Sequence, residues 1–202
     1  MTSPSFDAIL MASGFSRRFG NENKLLLPFA GQPLALYTLR LVCGMPQFGR
    51  VFFVCAHPSV AALANGYPLT ILHNAHPQLG QRESIRLGTM ASSANFYVFF
   101  TCDQPLLNEA TVNAVLARSA PGKITFPRHA GSPASPASFS STFRAELLSL
   151  HEGQHARDIK KAHPHALVPV DIDDALPLMD ADTPEALELL HSLAEERASS
   201  SS

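Results

Sequence analysis

The chain has 202 residues, 46% of them apolar and 16% charged, against about 25% charged in an average globular protein. That composition excludes wholesale disorder and gives one domain the material for a substantial core. The formal charge of −2 argues against a dedicated nucleic-acid-binding surface. Its distribution is uneven: residues 1–101 hold seven Lys/Arg against three acids, and residues 102–202 hold eight against fourteen. Such a division suits a cleft with phosphates on one side and a metal on the other, and it also arises by chance.

In chain order, Met1–Ser5 lacks the basic stretch that opens a secretory leader, and no apolar run reaches the ~20 residues needed to cross a bilayer. Cys43, Cys55 and Cys102 are odd in number and set in apolar stretches, which reads as reduced, buried thiols in a cytoplasmic protein. Phe6–Met11, Arg50–Cys55, Leu69–His73 and Phe96–Thr101 are short, continuous apolar runs of the kind buried strands have. Helical patterns fall between and after them at Leu34–Cys43, Ser59–Asn65, Gln81–Ala91 and Glu109–Ser119. Strands separated by helices predict an α/β fold, a single-domain, doubly wound and mostly parallel sheet.

The second half is less regular. A strand is predicted at Lys123–Phe126, a loop or distorted edge at Pro127–Pro136, helices at Phe143–Leu150 and His155–Ala162, and a strand at Ala166–Val170. Thr183-Pro184-Glu185 opens a last helix to about Glu196, with Thr183 or Asp182 as its cap. Residues 6–196 read as one domain and 197–202 as a disordered tail.

In an open parallel sheet, ligands bind beyond the carboxyl ends of the strands. The loop after the first strand runs from Ala12 to Lys24 and contains small residues, hydroxyls, Arg17, Arg18, Gly20 and Lys24. It matches neither the P-loop nor the dinucleotide glycine fingerprint, because Gly20 follows Gly14 by six residues and precedes Asn21. Small residues let a ligand approach the backbone, Arg grips phosphate bidentately, and Lys adds a mobile charge.

The run Leu10-Met11-Ala12-Ser13-Gly14-x-Ser16-x-Arg18-Phe19-Gly20, followed by Lys24-Leu25-Leu26-Leu27-Pro28, resembles the signature of the MobA-like nucleotidyltransferases. The likeness continues through Gly31-Gln32-Pro33-Leu34, Asn74…Gly80-x3-Ser84-Ile85-x2-Gly88, Cys102-Asp103-Gln104-Pro105-Leu106-Leu107 and Asp180-x-Asp182-Thr183-Pro184-Glu185. It is strongest towards the molybdenum-cofactor cytidylyltransferase branch. The resemblance implies a Rossmann-like nucleotidyltransferase that moves CMP from CTP to a molybdopterin-type acceptor, releases pyrophosphate and uses Mg²⁺. It further implies that Met11, Ala12, Ser13, Gly14 and Ser16 hold the nucleotide, that Arg18 and Lys24 grip its triphosphate, and that Asn74, Gly80 and Ser84 line the base and ribose pocket. Asp103 would bind both nucleotide and Mg²⁺, with Asp182 as the second metal ligand, and the catalytic set would be Arg18, Lys24 and Asp103. A molybdoenzyme client is the implied protein partner, with no nucleic-acid or membrane partner. The alternatives are a non-catalytic nucleotide- or cofactor-binding accessory protein of molybdoenzyme maturation, or a guanylyl- or sugar-phosphate nucleotidyltransferase.

The chemistry needs these residue types in any case. A phosphate oxygen attacking the α-phosphate of a nucleoside triphosphate needs positioning and charge neutralisation more than covalent help. Mg²⁺ takes one or two carboxylates, with phosphate and water completing its shell. Two carboxylates beyond strand ends also fit ordinary turn or helix-capping roles.

Several departures bear on the substrate. Guanylyl-transferring relatives carry Gly where this chain has Ser13 and cytidylyl-transferring ones carry Ala, so a small side chain here favours CTP. Lys24 lies one residue farther from Gly14 than in the cofactor branch. Gly131–Pro136 and Glu152–Arg157 depart from that branch's acceptor-side patterns, which puts molybdopterin in question more than nucleotidyl transfer. His151-Glu152-Gly153-Gln154-His155 matches the H-E-x-x-H zinc motif, but Gly153 weakens the helix it needs and no third ligand follows. Arg17 reads as solvent-facing, and Arg82 and Arg86 read as phosphate ligands or as an exposed helix face.

Overall fold

The computed structural model describes residues 5–20 and 22–200. The apolar runs become strands β1 (Phe6–Ala12), β4 (Phe48–Cys55), β5 (Thr70–His73) and β6 (Phe96–Thr101), with a small hairpin of β2 (Pro28–Phe29) and β3 (Gln32–Pro33) following β1. Downstream lie β7 (Ile124–His129), β8 (Ser132–Pro133), β9 (Ala137–Ser140) and β10 (Leu167–Asp171). The helices are α1 (Ala35–Gly44), α2 (Pro58–Ala61), α3 (Gln81–Ala91), α4 (Glu109–Ala117), α5 (Arg144–Leu148), α6 (Ala156–Ala162) and α7 (Pro184–Ser200).

The main sheet has the order β10-β7-β9-β6-β1-β4-β5, with β8 paired to β7. All pairs are parallel except those of β9 with β6 and β7 and that of β8 with β7. The chain passes from β1 outward to β4 and β5, then returns to β6 on the other side of β1. That reversal makes a topological switch point between β1 and β6. Met11 pairs with Thr101, so the segments beginning at Ser13 and Cys102 emerge side by side.

Alternation along the strands divides the core between the two faces of the sheet. Ala8, Leu10, Phe53, Val98 and Phe100 face α1, α2 and α4 through Leu39, Val42, Val60 and Val112. Ile9, Phe52, Val54 and Phe99 face α3, α5 and α6 through Ile85, Leu147 and Ile159. Helices on both faces of a mostly parallel sheet are the doubly wound α/β arrangement that the element order predicts. A smaller cluster of Phe29, Leu34, Ala181, Leu187 and Leu190 binds the hairpin and α7 to the start of α1. Packing α7 there carries residues 180–183 to the carboxyl edge of the sheet.

The one charged residue inside β1 is accounted for at the opposite edge. Asp7 is 3% exposed and accepts bonds from Arg50 N at 3.1 Å, Arg50 Nη2 at 2.9 Å and Ser92 Oγ at 2.7 Å. Three donors on one carboxylate offset its burial and clamp β1, β4 and the end of α3 together.

The structure differs from the sequence expectations in several places, among them the unexpected β2–β3 hairpin and an α2 that covers only Pro58–Ala61 where a helix is expected at Ser59–Asn65. β9 falls where no strand is expected: its alternation of Ala, Ser, Phe and Ser hides an apolar face of one aromatic, Phe139, which is fully buried. β7 continues through Pro127 to His129 because β10 and β8 pair with it there, so this stretch is strand and not loop. The last helix runs to Ser200, and Arg197 pairs with Asp174, so residues 197–200 are helix and not a disordered tail. The expectations for residues 1–4 and 201–202 lie outside the described residues. Among the described residues, no helix is long and apolar enough to cross a membrane.

The approach of α3 to the sheet depends on Gly88. A Cβ at that position would overlap Ile9 Cγ2 and crowd the rest of the Ile9 side chain. Gly88→Ala is expected to lower stability by about 1–3 kcal/mol despite the higher helix propensity of Ala, measurable as a lower urea midpoint with an unchanged m-value.

Candidate active site

Beyond the carboxyl ends of β1 and β6 lies a cleft of about 250 Å³. Met11, Ser13, Gly14, Ser16, Lys24, Gly80, Ser84 and Asp103 all line it, which brings together most of the residues singled out from the sequence. A second cavity of about 380 Å³ shares Gly14, Ser16 and Lys24 with the first and adds Arg17, Arg18 and Asp182. The first is walled partly by apolar groups such as Leu25 and Pro77, whereas three cations border the second.

The loop after β1 is shaped by its own polar side chains. Ser13 Oγ donates to Val54 O at 3.1 Å, continuing the β1–β4 pairing one residue past the strand. A Cβ on Gly14 would meet nothing within 4 Å, so the space above that backbone is open to a ligand. Ser16 takes a left-handed conformation (φ 50°), and its Oγ accepts the Lys24 backbone N–H at 2.9 Å. Asn23 accepts the Leu25 N–H at 3.1 Å. These bonds fold the loop back on itself, so that Lys24 borders both cavities. Gly80, at φ 72°, ends the turn before α3 and places the first turn of that helix on the cleft wall. A helix N-terminus there presents free N–H groups to an electron-rich ligand.

The charged centre joins the two halves of the chain. Lys24 Nζ donates to Asp103 Oδ2 at 2.5 Å and to Asp182 Oδ1 at 2.9 Å, and Arg18 Nη1 lies 3.4 Å from Asp182 Oδ2. The Asp182 loop is fixed to the Asp103 loop by Ala181 N donating to Asp103 O at 2.8 Å and by Gln104 Nε2 donating to Leu178 O at 3.1 Å. Thr183 Oγ1 accepts from Ala186 N and caps α7, which leaves both Asp182 oxygens for cations. Burial works against the Lys24 charge, but Asp103 and Asp182 outweigh it and hold its pKa above the ordinary value. The hydrogen bond from Lys24 holds the Asp182 carboxyl low, aided by the Lys24 and Arg18 charges against burial.

Asp180 belongs to this cluster too, and no expectation from the sequence gave it a role. It keeps an open edge to solvent. Desolvation by its surroundings, then repulsion from Asp103 and Asp182, raises its pKa to about 7 against the attraction of Lys24. Its spacing from Asp182 is visible in the chain, but the loop that turns it towards Asp103 is not.

Asp103 and Asp182 are suited to hold a hard cation. Asp103 Oδ1 is buried without a hydrogen-bond partner, and carboxylate oxygens are what Mg²⁺ prefers. Among the described residues no group of three His, Cys, Asp or Glu could hold a metal ion, so a cation here would need further oxygens from elsewhere. The H-E-x-x-H segment does not form a zinc helix: Gly153 adopts φ 79°, and α6 starts only after His155.

Other residues stand behind the cleft wall or at its margins. Asn74 is 1% exposed, accepts His76 N at 2.9 Å and lies 3.5 Å from Ser84 Oγ, so it supports the wall from behind and does not line it. Ala12 is fully buried and meets the site only through the chain direction it sets. Arg17 lies over the half-exposed Phe15 ring at 5.5 Å. Arg86 pairs with Glu83, and Arg82 donates to the Leu79 and Leu150 carbonyls. Ser135, in the altered 131–136 segment, accepts from Thr101 N at 3.3 Å, which sets that segment beside the cleft. Cys55 and Cys102 are buried free thiols, and burial pushes the Cys55 pKa to about 11.

Residues 8–167 match the family model described as the MobA-like NTP transferase domain. Among curated proteins, a 2-C-methyl-D-erythritol 4-phosphate cytidylyltransferase of Chlamydia abortus is 31% identical over 86 residues, 42% of this chain and 38% of the relative. A probable molybdenum cofactor guanylyltransferase of Haloferax mediterranei is 24% identical over 129 residues, 62% of this chain and 60% of the relative. The chain thus spans less than two thirds of the length of these relatives. Among solved structures, a nucleotidyl transferase from Methanothermobacter thermautotroptrophicus superposes with a TM-score of 0.82 at 17% identity, covering 96% of this chain and 99% of the other.

The placement of Asn74 gives a direct expectation. Asn74→Ala takes the acceptor from the part-buried His76 N–H and should cost about 0.5–1.5 kcal/mol in urea unfolding.

Proposed function

The chain belongs to the MobA-like NTP transferase family, and on that basis we propose that it is a cytoplasmic cytidylyltransferase moving CMP from CTP to a phosphate monoester, of molybdopterin type, with release of pyrophosphate. The observation that carries this reading is the junction of Lys24, Arg18, Asp103 and Asp182 at the switch point between β1 and β6.

In this reading the base enters the partly apolar cleft against Ser13, Gly14, Gly80 and Ser84. The triphosphate extends along the Gly14–Phe19 loop towards Arg18 and Lys24. An acceptor phosphate oxygen attacks the α-phosphorus, a new P–O bond forms, and the bond from the α-phosphorus to the bridging oxygen breaks with its electron pair leaving on pyrophosphate. Arg18 and Lys24 neutralise the charge that collects on the leaving group. Asp103 and Asp182 are the residues that would hold Mg²⁺, which when bound supplies further charge neutralisation at the phosphates.

CTP is favoured over GTP by Ser13, whose side chain is 8% exposed and turned onto β4, filling space that a glycine would leave for a purine edge. The curated relatives divide between cytidylyl and guanylyl transfer in their names. Both kinds of acceptor are phosphate monoesters. The Ser135 segment beside Thr101 is where the acceptor is expected to meet the protein. Its departures from the cofactor branch leave a non-catalytic accessory protein as the second reading.

A thermal-shift panel of CTP, GTP, ATP and UTP with Mg²⁺ tests the nucleotide. At a hundred times its Kd, CTP should stabilise the protein by about 2.7 kcal/mol and the others by less; no shift with any nucleotide would remove the reading. Pyrophosphate release with CTP and molybdopterin, or with 2-C-methyl-D-erythritol 4-phosphate in its place, tests turnover. Asp103→Ala should abolish that release by at least a hundredfold, whereas nucleotide binding without release from either acceptor would favour the accessory protein.

A further inference from the structure

The Lys24 ammonium lies where a cation shared by Asp103 and Asp182 has to lie, 2.5 Å from one carboxylate and 2.9 Å from the other. The Lys24 and Asp103 side chains keep only 15% and 12% of their exposure, so water screens neither charge well. Asp182 is more than half exposed, so it is the enclosed Asp103 carboxylate that needs a counter-charge whenever no metal is bound, because an unpaired buried charge is strongly destabilising. Lysine can supply it, because its charge is compact and sits on a flexible four-carbon stem that can be drawn elsewhere.

Two uses of Lys24 exclude each other. An ammonium bridging Asp103 and Asp182 cannot also lie on a phosphate group, and it repels a divalent ion placed between the same oxygens. The protein offers the ion few ligands of its own, since no three-residue cluster of metal-binding side chains occurs among the described residues. Asp103 Oδ1 is buried and unpartnered while Oδ2 holds Lys24, so the carboxylate keeps an unused acceptor.

We propose that Lys24 is an internal counter-cation that occupies the divalent-metal position in the nucleotide-free protein and competes with the metal for Asp103 and Asp182. Nucleotide phosphates draw the ammonium out of the cluster, which vacates the two carboxylates and supplies the missing oxygen ligands in the same event. Metal binding is therefore conditional on nucleotide, and the free protein is protected from holding a metal ion with no substrate. The identity of the anion that withdraws Lys24 rests on the nucleotidyl-transfer reading above. The competition between Lys24 and the metal stands on the three side chains alone.

The test uses Mn²⁺ as the probe, with no nucleotide present, on the full chain. Mn²⁺ affinity is read by calorimetry and by the paramagnetic resonance signal of free Mn²⁺ for wild type, Lys24→Met and Lys24→Gln, each checked for folding by circular dichroism. Both variants should bind Mn²⁺ at least tenfold more tightly than wild type, and saturating Mn²⁺ should raise their urea midpoints more than that of wild type. Adding Asp103→Asn to Lys24→Met should remove the gain and so locate it. Should Lys24→Met not fold without metal, Lys24→Gln gives the reading. Mn²⁺ affinity in the folded variants equal to or weaker than that of wild type would overturn the proposal. Because nucleotide is absent, that result would leave the CTP shift untouched, and absence of a CTP shift would leave the metal competition untouched.

Discussion

The arrangement of the whole molecule follows from β1 being paired in parallel on both sides, with β4 and with β6. A strand in that position must be apolar on both faces, which is why Ala8, Ile9 and Leu10 are fully buried. Its neighbours run in the same direction, so three carboxyl ends gather at one edge while the chain departs to opposite sides. The crevice at that edge is a consequence of topology. What fills it is a matter of the loops, and here the loops bring small residues from β1 and an acid from β6.

The site is held together by charges from distant parts of the chain. Arg18 and Lys24 come from the basic half and Asp103, Asp180 and Asp182 from the acidic half, so the uneven charge along the sequence is partly the record of one cluster. Other charges in the same count have partners outside the cluster: Arg50 serves Asp7, Arg128 serves Asp171, and Arg86 serves Glu83. Asp182 reaches the cluster only because α7 packs on Phe29 and Leu34 and because Ala181 N is bonded to Asp103 O. The hairpin β2–β3 and the last helix, which touch no reacting group, thereby position one of the carboxylates.

The side of the cleft next to Thr101 is built differently. β9 runs antiparallel between β6 and β7, and the segment before it bends so that Ser135 meets Thr101 at the end of β6. The irregular half of the sheet thus lies beside a cleft whose lining comes from the regular half. Arg128 bound to Asp171 and His129 bound to the Ile172 carbonyl hold the ends of β7 and β10 at this side. Variation in these segments can change the surroundings of the cleft while β1, β4 and β6 keep its lining constant.

Local patterns are enough to define the main-sheet strands of the first half and the helices α1, α3 and α4, because each is a separate apolar or amphipathic run with a period of its own, but they do not show the β2–β3 hairpin or the shortness of α2. Gln81–Ala91 and Phe96–Thr101 fall on the residues expected. The same patterns mark Gly14, Ser16, Arg18, Lys24 and Asp103, since polar and small residues directly after a buried strand stand out against it. They do not reveal β9, whose pairing is its only strong strand signal, or the strand course of Pro127–His129, which exists because β8 and β10 lie beside it. The retreat of Asn74 behind the cleft wall, the choice of Thr183 over Asp182 as helix cap, and the place of Asp180 emerge only once the chain is folded. The physical reason is common to all of them: periodicity and local propensity act over a few residues, whereas the packing, hydrogen bonds and ion pairs that settle these roles join positions many residues apart.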